Sequence, residues 1–275
     1  MIDPTRSLLY NITIQCSLDG FCFVIHDIEE NKIIDIELYQ TSEAGDERLV
    51  MEALEKTLFK KDLYEKPFHS VRFIVGNRLN TLVPTELFDN QHPEVYFRFN
   101  HDLPSDYILM HETLPAINSV NVFAIPEQQK KRILSLWSNA VITHQSTIFL
   151  SSILHEAPAE DSVTAYINVN SRSFDMAIIK EGNLLFFNNF KFNTKDDFIY
   201  FLMFALEQQQ LDSQETPVCF TGLISSNSEI IRLCERYIKH LRFIRPDGSV
   251  NVDMSLNATP FQYYYIPYKS ITCES

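Results

Sequence analysis

The alternation of apolar and polar residues near the start of the chain predicts a meander, that is, three consecutive antiparallel strands. The three strands are expected over residues 8–14, 21–25 and 33–39. Asp19 and Gly20 are predicted to form the first hairpin turn. Ser42 is expected to cap a helix, because apolar residues recur after it at helical spacing. A short apolar strand over residues 71–75 then ends at Gly76.

The second half of the chain repeats this order of elements. A second meander is expected over residues 163–169, 173–179 and 184–187. Thr194 caps the next predicted helix, a strand over residues 217–222 ends at Gly222, and a further helix is expected over residues 226–240. A strand that follows such a helix is expected to join the same sheet in parallel. The repetition predicts two similar lobes, each a mixed sheet flanked by helices.

The residues between the two repeats predict an insertion and a boundary. Four prolines interrupt residues 77–118, which we interpret as a small subdomain inserted into the first lobe. A strand over residues 120–125 is expected to return to the core, and a helix is expected to begin at Pro126. Residues 157–161 are the predicted link between the lobes. The expected domains are residues 1–157 and residues 158–275.

The composition and charge of the chain argue against some classes of function. The formal net charge of -13 argues against a nucleic-acid partner, because phosphate binding needs clustered Lys and Arg. No apolar run approaches the roughly 18–20 residues of a membrane span, and residues 1–6 show no signal-peptide pattern. No Cys-x-x-Cys pair is present, so the cysteines are expected to be thiols in a reducing compartment. They are Cys16, Cys22, Cys219, Cys234 and Cys273. We therefore expect a cytoplasmic protein without direct membrane insertion.

Three short stretches, residues 14–20, 168–175 and 220–223, stand at the ends of predicted strands. Together with the order of elements, they resemble the actin, chaperone and sugar-kinase superfamily, whose two lobes close over ATP. More narrowly, the chain resembles an uncharacterised bacterial family, a domain of unknown function found mainly in Bacteroidetes. Actin-like proteins of type IV pilus and type II secretion assembly are a more distant likeness. The resemblance implies an α/β protein with a duplicated actin-like (ribonuclease H-like) ATPase fold.

The second phosphate loop of that superfamily reads Asp-Ile-Gly-Gly-Gly-Thr-Thr-Asp and aligns with residues 168–175 without a gap. Asn168 stands at the acid that would orient magnesium, and Asp175 matches the final acid. The glycine positions and the first threonine position are occupied by Asn170, Ser171, Arg172 and Ser173. Glycine lets backbone N–H groups approach phosphate, and a neutral amide is a poorer magnesium ligand than a carboxylate. Arg172 either offsets phosphate charge or is an exposed turn residue.

The other two motifs are also incomplete. In the first phosphate loop, Gln15 or Ile14 stands where the superfamily has an acid. The adenosine motif keeps Gly222 but has Leu223 in place of its second glycine. The resemblance therefore implies a vestigial nucleotide cleft lined by Ser17, Asp19, Gly20, Asn168, Asn170, Ser171, Ser173, Asp175, Thr221 and Gly222.

These departures favour a non-catalytic protein that works through protein contacts, as an interaction or regulatory module, with no catalytic residue, metal or cofactor. Its partner is expected to be an unidentified protein, and a dimer is an open alternative. The competing prediction is an ATP binder or weak ATPase that uses Mg-ATP, and a phosphotransferase would need Asp19 or Asp175 as its base. The aromatic segment 260–268 is expected to be a terminal strand, with a partner surface as the alternative.

Overall fold

The computed structural model describes residues 3–41, 47–156 and 163–272. The predicted Ser42 cap, the predicted link at residues 157–161 and Cys273 lie outside these residues. The chain divides into two compact units. Unit 1 consists of Met1–Ile148, Gly248–Ala258 and Ile266–Ser275. Unit 2 consists of Phe149–Asp247 and Thr259–Tyr265.

The described residues form strands, α-helices and short 3-10 helices. The strands are β1 (Tyr10–Ser17), β2 (Gly20–Asp27), β3 (Lys32–Gln40), β4 (Ser70–Gly76), β5 (Asn80–Pro84), β6 (Tyr107–Leu114), β7 (Ser119–Pro126), β8 (Val141–His144), β9 (Val163–Val169), β10 (Ser173–Lys180), β11 (Asn183–Lys191), β12 (Val218–Gly222), β13 (Leu241–Phe243) and β14 (Asn251–Val252). The α-helices are α1 (Glu47–Lys60), α2 (Pro93–Phe97), α3 (Glu127–Leu136), α4 (Gln145–Glu156), α5 (Lys195–Gln208), α6 (Glu229–Cys234) and α7 (Tyr265–Thr272). The 3-10 helices are Pro4–Leu9, Thr85–Leu87, Pro115–Ile117, Met254–Leu256 and Phe261–Tyr264. Within these residues, no helix is long and apolar enough to cross a membrane.

The main sheet of unit 1 has the strand order β14-β3-β2-β1-β4-β8. β1, β2 and β3 form the predicted antiparallel meander, and β4 and then β8 add in parallel. Leu54 and Leu58 of α1 are fully buried in the same apolar core as Ile12, Ile14 and Phe73 of the sheet. The predicted meander and parallel addition are therefore confirmed.

A second, three-stranded sheet of unit 1 has the order β5-β7-β6 and is antiparallel. β7 is the strand that was expected to return to the core, and it belongs to this sheet. Its side chains alternate between two faces because successive residues of a strand point in opposite directions. Phe123 and Ile125 join the main core, whereas Val120, Val122 and Ala124 join a smaller apolar cluster.

The sheet of unit 2 has the order β11-β10-β9-β12-β13, with the same pattern of antiparallel and parallel neighbours as β3-β2-β1-β4-β8. The predicted duplication is thereby confirmed. Thr194 caps α5 as predicted: its Oγ1 accepts the Asp197 N–H at 3.1 Å, and Asp197 Oδ2 accepts the Thr194 N–H at 3.0 Å. Phe198 of α5 packs on Phe174 of β10, with ring centroids 4.4 Å apart.

Two predictions about the second half are wrong. The segment 260–268 is not a strand, because it forms a 3-10 helix followed by α7. Pro267 lies in the first turn of α7, where a missing N–H costs no helical hydrogen bond. Tyr264, Tyr265 and Tyr268 are buried, so these three rings do not form an exposed partner surface. The helix expected over residues 226–240 is only Glu229–Cys234.

Candidate functional site

Asn168 of β9 lies opposite Asp175 of β10 on one side and opposite Thr221 of β12 on the other. Its Nδ2 donates a hydrogen bond of 3.0 Å to Asp175 Oδ2. Asn168 and Thr221 are each only 1% exposed, and Asp175 is 0% exposed. The structure thus brings together three of the residues assigned to the candidate cleft, in the interior of unit 2.

The chemistry of the Asn168–Asp175 pair is that of an amide bound to a carboxylate. If residue 168 were an acid, two carboxylates would face each other and would need a cation or a proton between them. The Asn168 amide supplies a donor where a metal ion would otherwise supply positive charge. The pair therefore ties β9 to β10 without requiring magnesium.

Gly222 ends β12 with a φ of +86°, a conformation that favours glycine. A Cβ at this residue would overlap the main-chain oxygen of Val169 and would lie 2.6 Å from the Val169 nitrogen. The next residue, Leu223, donates its N–H to that same oxygen at 2.7 Å. Thr221 Oγ1 donates to the main-chain oxygen of Gln262 at 3.2 Å. The close approach of β12 to β9 is enough to require a glycine here.

The turn that replaces the glycine-rich loop connects β9 to β10. The Asn170 N–H donates to the Ser173 main-chain oxygen at 2.8 Å, so this donor is used within the turn. The Arg172 main-chain oxygen accepts the Phe192 N–H at 3.0 Å. Ser171 and Arg172 are exposed, whereas Asn170 and Ser173 are half-buried. The turn is therefore closed mainly by its own backbone and by the end of β11.

The residues of the first candidate loop, Ser17, Asp19 and Gly20, lie in unit 1 at the turn between β1 and β2. Ser17 pairs with Gly20, so the central turn residues are Leu18 and Asp19 rather than the predicted Asp19 and Gly20. Ser17 Oγ accepts the Asp19 N–H at 3.3 Å. Gly20 has a φ of +152°, and a Cβ there would overlap the main-chain oxygen of Tyr39. This glycine, like Gly222, is required by a neighbouring strand.

A pair of glutamines in unit 1 was not predicted from the sequence. Gln15 Nε2 donates to Gln145 Oε1 at 3.1 Å, and a Cβ on Gly76 would lie 3.2 Å from that oxygen. β1, β4 and β8 are parallel, so their carboxyl ends share one edge of the sheet, where ligands of such sheets commonly bind. The available signal was a polar residue, Gln145, placed directly after a buried strand.

The N-terminus of α4 is occupied by a carboxylate of the same unit. Glu112 Oε2 accepts the His144 N–H at 2.9 Å and the Thr147 hydroxyl at 2.7 Å. Burial raises the pKa of Glu112 above its usual value. Burial also lowers the pKa of His144 to about 3, so its ring is neutral at physiological pH. A helix N-terminus is a common phosphate site, but here an acidic side chain already binds the N–H of the residue before the helix and a hydroxyl of its first turn.

Two solved structures show the fold of this chain. A Bacteroides thetaiotaomicron protein with actin-like ATPase fold and unknown function has a TM-score of 0.79 and 23% identity, over 100% of both chains. The PilM-PilN type IV pilus biogenesis complex contains a chain with a TM-score of 0.61 and 12% identity, over 94% of this chain and 96% of that chain. At these identities the likeness concerns the fold alone. No curated protein sequence gives a significant match.

The chain has an actin-like ATPase fold, and the likeness covers its whole length. The resemblance inferred from the order of elements is therefore confirmed. A family model, described as protein of unknown function (DUF3822), matches residues 2–241, which is well over half of the sequence. The chain belongs to this DUF3822 family.

Proposed function

We propose that this protein is a non-catalytic interaction or regulatory module that has kept the fold of an ATPase without its nucleotide chemistry. The observation that carries the proposal is the buried hydrogen bond between Asn168 and Asp175. These residues stand at the two acidic positions of the superfamily loop, and they are bonded to each other in the interior. Asp175 Oδ2 is bonded to the Asn168 amide, and both side chains are buried away from a solvated magnesium ion, which holds its water ligands tightly.

The two glycines of the candidate cleft support the same proposal. Gly222 is kept from the adenosine motif, and Gly20 is the glycine that lies near the first phosphate loop. Both are accounted for by the main-chain oxygens of Tyr39 and Val169, which leave no room for a side chain. Their retention therefore needs no bound nucleotide as its explanation.

The negative net charge of the chain also supports a protein that does not bind ATP. ATP is a polyanion, and the formal net charge of this chain is -13. At the N-terminus of α4, the Glu112 carboxylate occupies donors that could otherwise bind a phosphate. A negative field lowers the local concentration of an anionic ligand and slows its association.

The proposed partner is a protein, met in the cytoplasm, rather than a nucleic acid or a membrane. Three cysteines support the reducing compartment because they are buried thiols: Cys22, Cys219 and Cys234. Burial raises the pKa of Cys219 to about 11 and that of Cys234 to about 12, so neither is a reactive thiolate at neutral pH.

A thermal-shift titration of the full chain with Mg-ATP tests the proposal against its competitor, an ATP binder or weak ATPase. A ligand at about 100 times its dissociation constant stabilises the native state by about 2.7 kcal/mol. We expect no change in melting temperature up to millimolar Mg-ATP. A rise of several degrees that disappears in Asn170→Trp, but persists in the control Asn257→Trp, would overturn the proposal. Asn257 is an exposed residue of unit 1.

A further inference from the structure

Strand β11 is the end strand of the sheet in unit 2. One edge pairs with β10, and within the described part of the chain no strand pairs with the other edge. β11 has nine residues, so it is about 30 Å long at about 3.3 Å per residue. Strands of about 5–6 residues are more usual, and a long apolar end strand readily pairs with another polypeptide.

The equivalent strand of unit 1 provides an internal comparison. β3 occupies the same place in the strand order, yet β14 pairs with it in parallel, with Asn251 opposite Lys32. A salt bridge of 2.6 Å between Lys32 Nζ and Asp253 Oδ2 holds this segment in place. The chain thus supplies an extended segment for the edge of one sheet, and none of its described residues does so for β11.

An aromatic row joins β11 to the exposed side of α5. The ring centroids of Phe190 and Phe201 are 5.5 Å apart, those of Phe201 and Tyr200 are 5.3 Å apart, and those of Tyr200 and Phe204 are 6.1 Å apart. Tyr200 is 62% exposed and Phe204 44%. Leu185, in β11 itself, is 46% exposed. We call β11 together with Tyr200 and Phe204 the β11 surface.

Two exposed residues of opposite charge lie at the two ends of β11, and Lys180, the last residue of β10, lies next to the acidic one. Glu181 lies in the turn just before the strand, and Lys191 is its last residue. Both side chains are exposed, and neither forms a salt bridge with another described residue. An antiparallel pairing of two β11 strands would bring the Lys191 end of each copy to the Glu181 end of the other. A partner of unrelated sequence has no reason to match both ends at once.

We propose that a second copy of this chain occupies the β11 surface, with the two β11 strands antiparallel about a twofold axis. The contact is isologous, so the same edge serves both copies and the assembly closes as a dimer. The two five-stranded sheets become one continuous sheet across the joint. Tyr200 and Phe204 of each copy lie beside the joint, where aromatic side chains are enriched in interfaces.

Sedimentation equilibrium of the full chain tests the proposal. We expect a dimer with a dissociation constant of about 10–100 µM, which is typical of a modest interface. Leu185→Lys places a charge on the edge strand, a device that natural proteins use to block strand pairing. We expect it to raise the dissociation constant at least about 30-fold, or roughly 2 kcal/mol. Leu87→Lys is the matched control, because Leu87 is 67% exposed in unit 1 and should leave the dimer unchanged. Circular dichroism must show native melting in both variants.

A charge exchange gives a second, independent readout. Glu181→Lys and Lys191→Glu should each weaken the dimer several-fold, by about 1 kcal/mol, and the double variant should restore it. A wild-type chain that stays monomeric at about 200 µM, well above micromolar affinity, would overturn the proposal. So would a dimer that is insensitive to Leu185→Lys, or a double variant weaker than both single ones. This inference stands apart from the proposed function, since neither result depends on nucleotide.

Discussion

Asn168 Nδ2 and Asp175 Oδ2 lie 3.0 Å apart on neighbouring strands, both side chains closed off from water. An amide next to a carboxylate is favourable, whereas two carboxylates at this distance repel each other. The hydrogen bond between Asn168 and Asp175 therefore indicates a structural role for this pair rather than a magnesium site.

The first prediction follows from that pair. Asn168→Asp should lower the free energy of unfolding by about 3 kcal/mol, because it removes a donor and buries a second acid. Urea unfolding at pH 7 measures the change. Asn170→Asp, in the adjacent turn, should shift the value by less than about 0.5 kcal/mol. Full recovery of Asn168→Asp by millimolar magnesium would contradict the structural role.

The second prediction concerns Gly222. Gly222→Ala should cost about 3 kcal/mol or more, because its Cβ would overlap the Val169 main-chain oxygen in addition to the cost of positive φ. Gly182→Ala is the matched control: φ is +74°, and a Cβ there would meet nothing within 4 Å. It should cost only the left-handed strain of about 1–2 kcal/mol. Equal losses in denaturant unfolding would rule out the close approach as the reason for Gly222.

The third prediction concerns pH and His144. Its pKa is about 3 in the folded chain, compared with 6.5 for an ordinary histidine, so the unfolded chain binds a proton more readily. The contribution of His144 is fully present above pH 6.5. It is lost as the pH falls toward 3, by about 1.4 kcal/mol per pH unit.

Glu112 acts with the opposite sign. Burial raises its pKa, so its ionisation lowers stability as the pH rises above 4.5. The difference between wild type and His144→Asn isolates the histidine, because Glu112 accepts a hydrogen bond from the backbone of residue 144 and not from its ring. We expect the wild type to lose more stability than His144→Asn between pH 6.5 and 4.5 in chemical denaturation. Parallel pH profiles would refute the assignment.

The fourth prediction concerns the buried hydroxyl of Tyr268. It accepts the Val250 N–H at 3.1 Å and lies 3.3 Å from the Val250 main-chain oxygen, to which it donates. Tyr268→Phe should cost about 1–2 kcal/mol, because a buried backbone N–H loses its acceptor. Tyr200→Phe, on the exposed side of α5, should leave stability unchanged within about 0.5 kcal/mol. Thermal melting of the two variants makes the comparison.

The two meanders and their parallel fourth strands could be predicted because strand alternation, turns and helix caps are local signals. The arrangement of residues 168–175, from the end of one strand through a turn to the start of the next strand, was likewise predicted. The C-terminal aromatic segment misled the prediction, since Tyr and Phe favour strands while Pro267 is tolerated in a first helical turn. No local pattern in this segment distinguishes a strand from a helix.

Non-local relationships could not be predicted. Gln15 and Gln145 are far apart in sequence, and only the parallel pairing of the sheet brings them together. β14 has two residues, too few to give a periodic signal. The role of Gly222 depends on how closely β12 approaches Val169, which its own sequence does not reveal.

Two segments near the end of the described chain contact elements that come early in it. β14 pairs with β3, and Arg72 Nη1 donates to the Ser270 main-chain oxygen at 2.6 Å. Translation proceeds from the N-terminus to the C-terminus, so β3 and Arg72 are synthesised long before the segments that contact them. During synthesis, one edge of β3 therefore stays uncovered until nearly all of unit 2 has been translated, a stage at which an unpaired strand edge is exposed to aggregation.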